Sequence, residues 1–544
     1  MKRALKWFAA STLAGMIYSV FLWGFGVYDD AYITFRYARN VAAGLGPVYN
    51  AGERVEGCTT FLQMMILAPF IRLGADPRFV SVALSILALA LIVAMGVWLL
   101  GRIYDGEKLR LASFAYGFFI MTNPGMILWT ISGMETILYS VALAAVALSL
   151  WRDLEKDKAP VAAALACVVA ALIRPDGVVI AGFLTLAIFW KTKNQRWKNA
   201  LIFSLIFGIL YGVYFAWRFH YYGWFYPNTY YAKVGGFKPI IVIRGMEYWI
   251  KSIFSGAMPL IPLLMLVFRK KLGLKLGLLE IILVAVIAAQ SFQSIMSGGD
   301  FMPFYRFMIP VWPLLALLAL SLTQRIAWGD SKGFFGRLAG RMHRRRGIAI
   351  AVLIINASTI FMGLSSVKAF TGAVACRAWE KNARILSAIV PPDSLIAATA
   401  IGAFGWYIDG PLIDLLGLTD ETIAHTKTRT RLKSPRGHER YNTKYVLKRR
   451  PDFILFCVQT AKTPFKECGE IGKVLPVPAY RDMVKNAQFL SLYRYANHKI
   501  DGGYIATFIR RSRLGKPGFE GWFVTADAPK TPTDAQWLDK KKKK

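Results

Sequence analysis

The chain has 544 residues, 55% of them hydrophobic and only 18% charged, with a mean hydropathy of +0.41. Soluble domains are about 45–50% apolar and about 25% charged, so an ordinary soluble fold and a disordered chain are both excluded. Five cysteines in this length exclude a disulfide-stapled mini-domain, and the excess of 67 Lys+Arg over 32 Asp+Glu (net +35) falls largely in loops between apolar runs. Cations there meet lipid head groups and set topology, so the expected partner is a bilayer and not nucleic acid.

A bilayer core of ~30 Å needs roughly 20 apolar residues per helix. Apolar runs predict spans at 7–27, 59–74, 79–100, 111–129, 133–151, 159–173, 177–190, 200–219, 256–269, 275–296, 308–325 and 347–366. The first reads as a span and not as a cleavable signal, because Tyr28-Asp29-Asp30 closes it where a small-residue cleavage site would stand. Lys2, Arg3 and Lys6 put the N-terminus in the cytoplasm, as do the basic clusters 152–158, 191–198, 269–275 and 325–346 for their loops. Parity then fails, since an odd number of runs separates the N-terminus from Arg152. The stretch 101–136 resolves it: Asn123-Pro124-Gly125 breaks a run there, predicting two short or re-entrant helices. The total is then odd, about eleven.

Residues 28–58, 220–255, 297–307 and everything past 366 face away from the cytoplasm on this reading. Residues 1–366 form a multispanning domain. Residues 367–530 alternate short apolar strands (394–400, 451–456, 504–509) with helices near 376–390 and 441–448, predicting an extracytoplasmic mixed α/β domain. Residues 531–544 form a basic tail. Cys376, Cys457 and Cys468 fall in the outer domain, where spacing allows one disulfide without choosing it. The five histidines never pair at ligand spacing and there is no C-x-x-C, so no metal or other cofactor is expected.

The informative polar residues lie at membrane edges. Asp29 and Asp30 open a segment, 30–43, that fits an amphipathic helix along the membrane surface with Ile33, Tyr37, Ala38 and Val41 inward. Either carboxylate is a plausible N-cap, but two adjacent ones, with Glu53 and Glu56 returning in the same loop, favour a site. A second cluster, 218–233, reads as an interfacial aromatic belt, apart from Asn228 and Lys233, which suit a polar ligand. The third holds Gly298-Gly299, Asp300 and Arg306: either an anion site or an Asp300–Arg306 pair pinning the turn. Glu135, Arg174 and Asp176 read as ion pairs at helix ends.

Taken in order, DDAYITFRYARN…GLGPVYNAGERVEG (29–57), SGMET (132–136), RPDG (174–177), YYGWFYPNTYYAK (221–233), GGDFMPFYRF (298–307), IDLLGLTDETIA (413–424) and GHERYNTKYVLKRRPDFILF (437–456) resemble the GT-C glycosyltransferases that use polyprenyl-phosphate sugars. The likeness is greatest to bacterial relatives of the terminal arabinofuranosyltransferases. It implies a GT-C-like polytopic α-helical fold in the inner (plasma) membrane, a polyprenyl-phosphate sugar as donor, an extracytoplasmic site, and Asp29 or Asp30 as catalytic base. The acceptor would be a cell-envelope glycan, lipid or protein, and the sugar arabinofuranose or a hexose such as mannose. The donor phosphate calls for cations at the head-group plane, and Arg36, Lys233 and Arg306 are available, with Asn228 and Asp300 beside the sugar. Glu53, Glu56 and His438 (in GHERYNTK) are supporting or acceptor-side candidates. A single displacement inverts the anomeric carbon; retention needs a second carboxylate. A transporter or flippase, or a ligase of lipid-linked glycans, is the alternative.

Overall fold

The computed structural model describes residues 2–22, 26–191, 195–236, 238–255, 259–325, 367–428, 436–468 and 477–525. The chain divides into two compact units. One comprises Met1–Ala31, Thr59–Gly223 and Phe237–Ala375; the other Tyr32–Cys58, Trp224–Gly236 and Cys376–Lys544. The loops 32–58 and 224–236 thus join the C-terminal residues, although the apolar runs that flank them lie in the first unit.

The helices as far as residue 325, in chain order, are α1 (Lys2–Leu22), α2 (Asp29–Ala42), α3 (Phe61–Arg72), α4 (Pro77–Ile103), α5 (Gly106–Thr122), α6 (Pro124–Ile131), α7 (Thr136–Glu155), α8 (Val161–Ile173), α9 (Gly177–Lys191), α10 (Arg196–Tyr222), α11 (Asn228–Lys233), α12 (Pro239–Phe254), α13 (Leu260–Val267), α14 (Leu278–Met296) and α15 (Trp312–Arg325). Within the first unit α1 packs on α4, α7 on α8 and α4, α14 on α9 and α12, and α10 on α8 and α9. Among the described residues five helices are long and apolar enough to cross a bilayer, or six if the bent pair α5–α6 is one span. Phe61–Arg72, Val161–Ile173, Gly177–Trp190 and Ile309–Arg325 are apolar but shorter. The span expected at 347–366 and the basic loop after 325 lie outside the described residues.

The break expected near 123 is present. α5 and α6 meet at 53°. Asn123 ends α5, and its side-chain oxygen then accepts the amides of Gly125 and Met126 at 3.0 and 3.1 Å, capping α6. Pro124 at the first helical position has no N–H to lose. α4 starts in the same way, with Asp76 accepting from the Arg78 amide and Pro77 behind it.

α2 departs from expectation. It is a helix, but both of its faces are covered by protein: Tyr32, Phe35, Tyr37 and Ala38 are fully enclosed, and even Thr34 and Arg36 are buried. Hydrophobic periodicity alone had marked one face as inward. The polar face is buried too because Asn40 Nδ2 donates to the Val48 and Tyr49 carbonyls at 2.8 and 3.0 Å, and Arg36 finds the partners described below.

The second unit is built on a mixed six-stranded sheet of order β2-β1-β3-β5-β4-β6: β1 (Ile396–Ala398), β2 (Leu412–Asp414), β3 (Phe453–Ala461), β4 (Tyr493–Ile500), β5 (Gly503–Arg510) and β6 (Trp522–Phe523). β1 runs parallel to β2 and β3; the other pairs are antiparallel. Ile413, Ile454, Phe489, Tyr495 and Phe508 fill its core. A Cys457–Cys468 disulfide ties β3 to the loop after it, while Cys376 stays free.

Candidate functional site

Four loops of the first unit bring charged residues to one place. The first precedes α2. The Tyr28 amide donates to the Ser132 carbonyl at 3.0 Å, joining this loop to the 132–135 turn. Gly133 has φ +76°, and a Cβ there would press on Val27 and Ala31, so the close approach requires glycine. The turn presents Glu135 at the head of α7, where Arg174 meets it at 2.6 Å. The same guanidinium holds Asp176 at 2.7 Å and lies over the rings of Tyr139 and Phe307.

The fourth loop, 297–307, supplies Asp300 and Arg306. Arg306 Nε donates to Asp300 Oδ2 at 2.8 Å, and the guanidinium lies over Trp129 and Phe307. One terminal nitrogen reaches only the Met134 sulfur, at 3.6 Å. Gly299 (φ +67°) admits the Tyr248 ring against its backbone, and the Tyr248 hydroxyl accepts the Phe307 amide at 3.1 Å. Burial works against the charge of Arg306, but the facing carboxylates Asp300, Glu135 and Asp30 outweigh it and hold its pKa above the usual guanidinium range.

Asp29 and Asp30 both stand in this unit but differ in setting. Asp29 is buried; Asp30 is half-buried, acts on Arg306 as an opposite charge, and has no ion pair among the described residues. In the same unit, Asp300 Oδ1, Thr136 Oγ1, Tyr139 OH and Gln63 Oε1 are buried without hydrogen-bond partners among the described residues. An unmet buried polar atom costs roughly 1–3 kcal/mol. Two of them adjoin the charged groups: Asp300 Oδ1 belongs to the carboxylate paired with Arg306, and the Tyr139 ring lies under the Arg174 guanidinium.

The remaining candidates belong to the second unit, and most are committed there. Arg36 donates to the carbonyls of Tyr49 (2.8 Å), Gly405 (2.6 Å) and Gly410 (2.9 Å) and to Asn50 Oδ1 (3.2 Å), with its guanidinium over the Tyr49 ring. Arg36 is thus placed as a clasp, its fork taken up by three carbonyls and the Asn50 side-chain oxygen. Asn228 Nδ2 donates to the Gly417 and Leu418 carbonyls at 2.9 Å, while its Oδ1 is buried without a hydrogen-bond partner among the described residues. Glu53 accepts from Asn50 Nδ2, and the buried Glu56 accepts the Asn228 amide through its carbonyl. Lys233 is exposed, its stem within reach of Gly437, and His438 Nδ1 lies 2.9 Å from the Arg436 carbonyl. Asp414 is the most perturbed carboxyl outside the helices, pushed up to about 6 by burial although the Thr419 and Leu416 amides pull it down. Both its oxygens are taken by that turn.

Sequence reasoning weighed Glu135, Arg174 and Asp176 as structural pairs. The pairs exist, and they also border Arg306 and Asp30. The signal was present, since charges beside apolar helices are costly and concentrate at sites. Trp129, which walls Arg306, had no such signal.

Residues 59–230 match the Alg9-like mannosyltransferase family, and residues 372–513 match a domain of unknown function, DUF8728. The chain is 27% identical over 253 residues to the terminal beta-(1->2)-arabinofuranosyltransferase of Mycobacterium tuberculosis, covering 43% of this chain and 39% of that one. It is 26% identical over 350 residues to the protein of the same name from Corynebacterium glutamicum, covering 56% and 49%. The chain therefore spans less than half the length of the curated relatives it matches. Its fold resembles that of ArnT from Cupriavidus metallidurans, solved bound to undecaprenyl phosphate, with TM-score 0.51 and 12% identity over 75% of this chain and 85% of the other.

Proposed function

We propose that this chain, a multi-pass member of the GT-C glycosyltransferase superfamily, transfers a sugar from a polyprenyl-phosphate donor to a cell-envelope acceptor with Asp30 as base. The observation that carries the reading is the Asp30 carboxylate, half-buried and with no ion pair among the described residues, whose charge acts on the Arg306 guanidinium. The acceptor hydroxyl gives its proton to Asp30 as its oxygen bonds to the anomeric carbon. The bond from that carbon to the phosphate oxygen breaks, and the departing phosphate takes hydrogen bonds from the terminal nitrogens of Arg306. A positioned base contributes typically 10²–10⁴-fold. One displacement inverts the anomeric carbon.

The sequence likeness to arabinofuranosyltransferases and to the Alg9-like family supports arabinofuranose and mannose as the donor sugars to try first. The reading uses about eleven spans, an inner-membrane location, and an extracytoplasmic site. The Cys457–Cys468 disulfide supports that side, because disulfides persist in oxidising compartments. It uses no metal: Asp300 and Glu135 each already face a guanidinium, whose charge repels a second cation.

The test is transfer of label from synthetic polyprenyl-phosphate sugars, arrayed by sugar, in membranes containing the full chain. Label reaching an acceptor glycan or lipid, unaffected by EDTA, is the expected result. Label that crosses the bilayer while still on its carrier would make the protein a transporter, and transfer of whole lipid-linked glycans would make it a ligase.

A further inference from the structure

The opposite ends of the same helices hold a second feature, independent of the transfer reading. Glu135 stands at the head of α7 and Ser297 at the foot of α14. The 20 residues of α7 span about 30 Å, the thickness of a hydrocarbon core. At the far ends of α4, α7 and α15 and the near end of α14 lies a cavity of ≈ 520 Å³. Trp151 and Leu279 give it an apolar wall, and Arg102, Lys275, Arg325 and Gln324 line the rest, with Glu155 as its carboxylate.

Its cations are held ready in different ways. Arg325 donates through Nε at 2.7 Å to Glu280, which is wholly buried and also accepts from Ser321 Oγ and, at 2.8 Å, from the Gly277 amide. That pairing fixes the guanidinium and leaves its terminal nitrogens. A Cβ at Gly277 would overlap this guanidinium, so glycine keeps the space for it. Arg102 and Lys275 are exposed and have no ion pair among the described residues. Gln324 Oε1 is buried with no hydrogen-bond partner among the described residues, an acceptor in need of a donor. The neighbouring chain is basic, with Arg152, Lys156, Lys158 and 269–271 at the same helix ends.

We propose that this cavity binds the head group of an anionic phospholipid that carries free hydroxyls, a phosphatidylglycerol-type lipid. The phosphate lies on Arg102, Lys275 and the open edge of Arg325. A head-group hydroxyl donates to Gln324, and the acyl chains leave along Trp151 and Leu279. Apolar wall, cations and unmet acceptor then each have a counterpart in one molecule. The basic loops assign it to the cytoplasmic leaflet.

The experiment is native mass spectrometry of the purified full chain in detergent, titrated separately with phosphatidylglycerol, phosphatidic acid, phosphatidylcholine and water-soluble glycerol 3-phosphate. Phosphatidylglycerol should bind best. The exposed double variant Arg102→Gln/Lys275→Gln should lose roughly 30-fold in its affinity, at about fivefold per cation. Gln324→Leu should remove the preference for phosphatidylglycerol over phosphatidic acid and spare the preference over phosphatidylcholine. Unchanged phosphatidylglycerol affinity in the double variant would overturn the site. Glycerol 3-phosphate binding as tightly as the lipid would overturn the lipid assignment and leave a free-anion site. Neither result bears on Asp30.

Discussion

Arg174 and Arg306 sit at neighbouring helix ends, both nearly enclosed, yet they differ in what they have left to give. Arg174 is closed by two carboxylates, Glu135 and Asp176. Arg306 spends Nε on Asp300, and among the described residues its terminal nitrogens make one hydrogen bond, to the Met134 sulfur. An anion can add to the second and not to the first. Arg306→Lys retains the charge but loses the planar fork, so donor KM should rise about tenfold with kcat and thermal stability little changed. A fall in melting temperature with unchanged donor KM would make Arg306 a structural pair only. At this scale the sequence was partly legible. Asp300–Arg306 was readable as a pair because the two opposite charges stand six residues apart in one short loop. Choosing between Asp29 and Asp30 was not possible, because adjacent residues in a helix point about 100° apart and only the partner Arg306, far along the chain, tells which one faces it.

Elements were most legible where local chemistry decides them. The Asn123-Pro124 cap, the strands β1, β3 and β5 and the helix at Thr443–Arg449 follow from apolar runs bounded by turn residues. β4 was missed. Its sequence, YRYANHKI, is largely polar, and its buried Asn497 serves by bonding both backbone groups of Phe465. β2 has only three residues and exists because β1 lies beside it. The enclosure of α2 was also illegible, since the carbonyls that take up Arg36 belong to residues about 370 positions later. That clasp has a measurable consequence. Arg36→Lys leaves several carbonyls of the second unit unmet, and charged hydrogen bonds contribute about 1.5–3 kcal/mol each. The detergent-solubilised variant should lose at least about 3 kcal/mol of stability while the fraction that remains folded keeps its donor KM. A raised donor KM at full stability would return Arg36 to the phosphate.

For the whole molecule, composition pointed to the membrane and seven short motifs to a resemblance with the GT-C glycosyltransferases, while residues 59–230 match the Alg9-like mannosyltransferase family. The division into units was not legible, because 32–58 and 224–236 interrupt the apolar runs without any compositional sign that they belong with the C-terminal sheet. Sidedness is argued from charge and from the disulfide, and labelling tests it: in intact spheroplasts a membrane-impermeant maleimide should reach Ser491→Cys in the second unit and spare Lys158→Cys, with the reverse pattern inverting the topology. The central claim is that Asp30 takes the acceptor proton, and one measurement addresses it most directly. It is the rate of sugar transfer from a polyprenyl-phosphate donor by Asp30→Asn and Asp29→Asn, each shown to be folded in the membrane. The account predicts that Asp30→Asn loses at least about 10²-fold in kcat while Asp29→Asn keeps most of its activity. Near-full turnover by Asp30→Asn would contradict it.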